Sequence, residues 1–150
     1  RLTSWELAQD GIDHVVEVDG AASSTILRGL VDVAIIGADR ITANGDTANK
    51  VGSVALALAC RRAGIPFVVA APSSTVDLST ATGDQIVIEE RDPSEVTAFS
   101  GSPSAPAGAL GFNPAFDVTP HDLISAVVTE RGVVEPATEP HPQLLARIAG

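Results

Sequence analysis

The sequence has little of what a covalent or metal scaffold requires. A single cysteine, Cys60, in 150 residues excludes an intrachain disulfide and a zinc site built on cysteines. His14, His121 and His141 share no ligand spacing with one another or with carboxylates, so no metal is expected. Positive charge is scarce. Nine Lys and Arg against nineteen Asp and Glu leave a net charge of -10, which disfavours a phosphate-backbone footprint on nucleic acid. Apolar runs such as VDVAIIGA and VALALAC stop well short of the roughly 20 residues that cross a bilayer, so no membrane partner is expected either. Neither G-x-x-x-x-G-K-[ST] nor G-x-G-x-x-G occurs, which leaves nucleotide binding without support. The expectation is a cytoplasmic protein without a cofactor.

What is present is a chain with 45% hydrophobic residues, enough for one domain over 1–150 with its own core. RLTSWELAQDGI, at the start, already reads as an amphipathic helix in progress and lacks the pattern of a signal peptide. The domain is therefore expected to be part of a longer protein, cut at its N-terminal side.

Elements alternate along the first half. Residues 3–10 read as helix to Gly11, HVVEV (14–18) as a short strand, and 21–28 as helix to Gly29. VDVAIIG (31–37) is rich in β-branched residues, as a strand covered on both faces should be. Residues 46–62 read as helix closed by Gly64, and IPFVVAA (65–71) as another buried strand. This β-α-β-α-β rhythm predicts an α/β fold: a parallel sheet with right-handed crossovers and helices on both faces.

The second half is less regular. QIVIEE (85–90) reads as a strand, and DPSE (92–95) has the grammar of a capped helical turn. Residues 99–114 form a Gly/Ser/Pro loop. TPHD (119–122) again has capping grammar, and the apolar spacing after it predicts a helix over 121–130. The Pro-rich stretch 133–142 leads to a short terminal helix.

Within this frame GADRITANGDTANK (37–50) holds the polar residues of most interest. Ligands bind beyond the carboxyl ends of strands in open parallel sheets, and Asp39 lies two residues past the most apolar strand. With Asp46 as cap, Thr47, Ala48, Asn49 and Lys50 would occupy the first turn of the next helix, where free N–H groups attract an anion. The ten-residue loop, with Gly45 at its tip, would fold the carboxylate and the Asn-Lys pair around one small ligand. A plain structural account is equally open: Asp39 pairs with Arg40 or forms an Asx-turn, and Asn49 and Lys50 are a solvated helix end.

GADRITANGDTANKVG, followed by GIPFVVAAPSSTVDLST, IEERDPSEVT and NPAFDVTPHDLISAVVTERGV, resembles the C-terminal domain of methylthioribose-1-phosphate isomerases, from RLTSWEL to about Pro136. The wider family includes ribose-1,5-bisphosphate isomerases and the regulatory subunits of translation initiation factor 2B. Asp39-Arg40, Gly45-Asp46 and the Ala71 to Asp77 stretch resemble the methylthioribose enzymes, and the initiation-factor subunits generally lack the Asp. The resemblance implies a Rossmann-like fold and an aldose-ketose isomerase of methionine salvage that forms a homodimer through this domain and binds a small sugar phosphate. It implies that Asp39 is the catalytic acid and that Asn49 and Lys50 bind substrate. A donor carboxyl needs a raised pKa, which burial in a closed cleft would supply. The family's second catalytic group is a cysteine upstream of RLTSWEL, so the 150 residues alone are expected to be inactive. Two alternatives stay open: an isomerase of another pentose phosphate, and a non-catalytic sensing or assembly module of the same fold.

Cys60, inside VALALAC, reads as a small buried thiol. Asp19 reads first as a cap for 21–28, with a second reading in which it faces the same cleft. Ser74, Thr75 and Asp77 are candidates to line the cleft. Asn113 and Asp117 either order the long loop or mark a turn, and Arg91 is expected to pair with Glu89 or Glu90.

Overall fold

The computed structural model describes residues 2–138 and 145–150. His141 and the later part of the Pro-rich stretch lie outside the described residues. The elements of the first half are α1 (Leu2–Gln9), α2 (Ala22–Leu27), β1 (Ala34–Ile36), β2 (Arg40–Thr42), β3 (Thr47–Lys50), α3 (Ser53–Ala63), β4 (Phe67–Ala70) and β5 (Val76–Asp77). A short helix α4 (Ser94–Thr97) and a hairpin of β6 (Ala98–Phe99) and β7 (Ser102–Pro103) follow, then β8 (Phe116–Thr119), β9 (Ala126–Thr129) and β10 (Gly132–Val134).

Two four-stranded sheets result, in a mixed α/β fold. The first, in the order β1-β4-β9-β10, is parallel through β9, with Ala34 opposite Phe67 and Val68 opposite Ala126. β10 returns antiparallel from β9. α3 ends at Gly64, whose φ of +74° suits a residue without Cβ. Ala57 and Cys60 of α3, Ile26 of α2, and Phe67, Val69, Ile124 and Val127 form a buried core, closed by Leu145 and Ile148. At about 25 cal/mol per Å² of apolar surface removed from water, burial of this face of α3 contributes to the stability of the core.

The second sheet, β5-β2-β3-β8, is not foreseen from the sequence. Its centre is a β2–β3 hairpin with Arg40 opposite Ala48 and Ile41 opposite Thr47. Gly45 at the turn has φ +93°, and a Cβ there would come within 2.9 Å of Pro136. Backbone sign and space both require glycine.

Four expected elements are corrected. Residues 46–62 are not one helix: Thr47–Lys50 is a strand between β2 and β8, and α3 begins only after Gly52 at φ +109°. Thr47 and Ala48 are buried there, which stabilises the strand beyond any local helical preference. Residues 121–130 form a 3-10 turn and then β9, because the buried Ile124 and Val127 have helical spacing yet sit in a run of β-branched residues beside β4. Residues 85–90 pair only through a bridge from Glu90 to Pro114. Residues 14–18 form neither strand nor helix. The DPSE turn holds: Asp92 accepts the Ser94 N–H at 2.8 Å, while Arg91 pairs with Glu95 rather than with Glu89 or Glu90.

Candidate active site

β1 delivers the chain through Gly37 and Ala38 to Asp39, whose N–H donates to the Ala48 carbonyl at 2.8 Å. The hairpin register, carried one step beyond Arg40 and Ala48, puts Asp39 beside Asn49. On the other side of β3, Asn49 lies opposite Asp117 and Lys50 opposite Phe116.

Each polar group on β3 is held. The Asn49 Nδ2 donates to Ser53 Oγ at 3.1 Å, and Ser53 Oγ donates to the Lys50 carbonyl at 2.9 Å. The Lys50 Nζ, the chain's single lysine ammonium, stands 4.5 Å from the centroid of the Phe116 ring, a cation–π contact that restrains it without neutralising it. Asp117 accepts the Gly52 N–H at 2.7 Å and the Val54 N–H at 3.3 Å. The expected anion site on free helix N–H groups at 47–50 is therefore corrected, since those residues are in a strand and Asp117 already occupies the N-terminal amides of α3.

Asn49 and Lys50 line a cleft of about 260 Å³ together with Asp19, Ile36, Gly52 and Ser53. Asp19 makes no capping hydrogen bond, so the cap reading fails and the cleft reading holds. Asp39 does not line this cleft. It borders a second depression of about 430 Å³ with Arg40, Ala48, Glu89 and Phe116, on the neighbouring side of β3. The loop thus fails to close around one cavity, and Asp39 is exposed, without the burial a closed cleft would supply. A larger cavity, about 480 Å³ beside Leu27, Arg62 and Ile65, has Arg62 as its only charged group and offers no comparable chemistry.

Other candidates fall elsewhere. Arg40 pairs with Asp77 at 3.1 Å, not with Asp39, and Ser73 to Thr75 form a 3-10 turn, so Ser74, Thr75 and Asp77 do not line the Asn49 and Lys50 cleft. Asn113 donates to the Asp92 carbonyl at 3.1 Å and ties the long loop down. Cys60 is buried on α3, where burial pushes its thiol pKa up. Asp117, expected to order the long loop or mark a turn, instead caps α3 through the Gly52 and Val54 N–H groups, and Phe116 escapes a sequence reading because its role depends on register with β3.

The sequence profile described as the Initiation factor 2 subunit family matches residues 1–136. The chain belongs to this family. Among family members, the probable bifunctional methylthioribose-1-phosphate isomerase/methylthioribulose-1-phosphate dehydratase of Nocardia farcinica is 58% identical over 99% of this chain and 27% of its own length. The methylthioribose-1-phosphate isomerase of Xanthomonas oryzae is 58% identical over 89% of this chain and 38% of its own. The 5-deoxyribose 1-phosphate isomerase of Moorella thermoacetica is 53% identical over 99% of this chain and 41% of its own. The chain thus spans well under half the length of these relatives. In structure it superposes on the 5-methylthioribose 1-phosphate isomerase of Pyrococcus horikoshii with a TM-score of 0.89 and 44% identity, over 99% of this chain and 40% of that one. The translation initiation factor eIF-2B delta subunit of A. fulgidus gives 0.87 and 39%, over 97% of this chain and 43% of that one.

In this member of the initiation factor 2 subunit family the hairpin is anchored from below by Asp46. Its carboxylate does not cap a helix. It accepts from Asn44 Nδ2, the Gly83 N–H, the His121 N–H and the His121 ring, each at 2.9 Å. Burial alone would raise its pKa, but the hydrogen bonds from Asn44, Gly83 and His121 outweigh it and hold the carboxyl below the usual range. The Ser79 and Thr80 hydroxyls lower Asp77 from 3.8 to about 2, and the Ser73 hydroxyl and N–H lower Glu130. For all three the folded pKa lies below the unfolded one, so their stabilisation is fully present above the unfolded value and is lost as pH falls through the folded value. Thermal melts of the parent protein are expected to change little with these carboxylates between about pH 5 and 8 and to fall as pH drops below the ordinary carboxylate range. Asp77→Asn should flatten the part of that fall between 3.8 and about 2.

Proposed function

We propose that the parent polypeptide is an aldose-ketose isomerase converting 5-methylthioribose 1-phosphate to 5-methylthioribulose 1-phosphate in methionine salvage, working as a cytoplasmic homodimer. The observation that carries this reading is the hairpin itself: Asp39 at a strand's carboxyl end, one register step from Asn49 and the restrained Lys50 ammonium. The high identity to relatives named for this reaction supports it.

Asp39 is the catalytic acid in this proposal. Phosphate on the anomeric carbon blocks simple ring opening, so a proton goes to the ring oxygen as the ring bond to that carbon breaks. A hydrogen then moves from the second carbon to the first while the hydroxyl of the second carbon gives its proton to a base, so that a ketone forms, the proton given to the ring oxygen is offset and no oxidant is consumed. Asn49 and Lys50 bind the substrate, with Lys50 as a point charge for phosphate and Asn49 as a hydrogen-bond partner for phosphate or hydroxyl oxygen. Groups from the rest of the parent chain close the cleft and supply the partner of Asp39.

The test is the rate of isomerisation of 5-methylthioribose 1-phosphate by the full-length parent, with 5-deoxyribose 1-phosphate alongside because one relative carries that name. The 150-residue fragment serves as a control expected to be inactive. In the parent, Lys50→Met is expected to raise KM by about 10-fold or more, the scale of one charge-assisted contact, with a smaller effect on kcat. Absence of turnover on every pentose phosphate would leave the assembly-module reading instead.

A further inference from the structure

The cleft of about 260 Å³ beside β3 holds both signs of charge without joining them. Lys50 and Asn49 reach it from β3, and Asp19 reaches it from the turn that leads into α2. Ile36, at the carboxyl end of β1, and Leu56 of α3 add apolar surface. Among the described residues the ion pairs are made by Arg40, Arg61, Arg91, His121 and Arg131, so neither Asp19 nor Lys50 is spent on one. Asp19 is nevertheless placed from behind. Its turn, Asp19–Ala21, runs directly into α2, whose Ile26 is 4% exposed in the core with Ala57 and Cys60 of α3.

A carboxylate and an ammonium that share a cleft yet do not neutralise one another select an occupant with two unlike ends. The ammonium attracts an anionic group. The carboxylate repels that group and, having two oxygens and no proton, accepts from hydroxyl donors. A sugar ring with a phosphate at one carbon and vicinal hydroxyls beside it meets both demands, and hydrogen bonds to an ionised acceptor are roughly twice as strong as neutral ones.

We propose that Asp19 binds the sugar itself: its two carboxylate oxygens accept from the hydroxyls on the second and third ring carbons while Lys50 holds the phosphate. The assignment rests on the pentose phosphate reading above and adds to it the group that recognises the ring. Charge also fixes the direction of binding. A ligand turned end for end would set its phosphate against Asp19 and its hydroxyls against an ammonium that can only donate.

Calorimetric titration of the full-length parent tests this without turnover. The probes are the carbocyclic analogue of 5-methylthioribose 1-phosphate, whose ring cannot open, the same analogue without its second-carbon hydroxyl, and inorganic phosphate. Asp19→Asn is expected to weaken the intact analogue by about 10-fold or more, the scale of hydrogen bonds to a charged group. It should leave inorganic phosphate within about 3-fold, as for exposed and screened charges. On the analogue lacking the hydroxyl the loss should shrink to a few-fold, since one of the two donors is gone. Asp19 is exposed and asparagine is nearly isosteric, so phosphate affinity also reports an intact Lys50 site. Equal affinity of wild type and variant for the intact analogue overturns the role of Asp19 alone. So does an equal loss on all three probes, which would mark a structural or purely electrostatic effect. A wild type that binds phosphate but not the intact analogue overturns the pentose phosphate reading as well.

Discussion

Asp39→Asn in the full-length parent is expected to lower kcat on 5-methylthioribose 1-phosphate by about 10²-fold or more, the scale of a lost general acid. The substitution is nearly isosteric and leaves the fold's demands on this residue intact. What the structure takes from Asp39 is its N–H, donated to the Ala48 carbonyl, and asparagine retains it. The side chain is exposed, so the stability change should stay within about 0.5 kcal/mol, as for surface positions generally. Loss of rate with an unchanged melting curve therefore isolates chemistry from folding. An amide can accept and donate hydrogen bonds at the same spot but cannot hand over a proton. If the variant turns over within a few-fold of wild type, the acid lies elsewhere, and Asp19, across the other depression beside Lys50, becomes the first residue to exchange.

Asp46→Ala is expected to cost the parent about 2–4 kcal/mol of stability, because truncation leaves the Gly83 and His121 N–H groups without their acceptor at about 1–3 kcal/mol each. Gly83 is buried, and water cannot easily replace the lost oxygen there. The Asp46 side chain is itself 15% exposed, which holds the figure below a full sum of four bonds. Asp46→Asn keeps one carbonyl oxygen and should lose less. Urea denaturation of the three proteins measures the series, and equal midpoints would show that the hairpin does not depend on this carboxylate. KM should rise with the loss, since Asp39, Asn49 and Lys50 all ride on the hairpin that Asp46 anchors.

The sequence made β1, β4 and the end of α3 legible because their signals are local: β-branched runs bounded by glycine. The position of Asp39 was legible for the same reason, as a carboxylate just past an apolar strand, although that strand is not covered on both faces as expected, since Ile35 is exposed. Thr47–Lys50 was not. TANK has no strong preference of its own, Asp46 imitates a helix cap, and the decisive partner, β8, lies more than sixty residues away in sequence. Val127 to Thr129 misled through Ile124 and Val127, whose spacing is that of a helix face although both are buried against neighbouring strands and α3. Phe116 and Asp117 became interpretable only through register, which no single segment encodes. Residues 14–18 carry a strand's composition without a strand's ladder, and composition alone cannot report whether a partner is at hand.

The hairpin that joins Arg40 to Ala48 also limits how this region can tolerate insertions and deletions. Side chains on a strand alternate faces, so removing or adding one residue between 43 and 46 would slide β3 by one step and exchange the directions in which Asn49 and Lys50 project. Neither group would keep its present place at the cleft, and the Phe116 contact would be lost as well. Point substitutions in the turn can be absorbed one at a time, Gly45 excepted, whereas a frame-preserving change of a single codon in its length would separate the charged group from the cavity it serves.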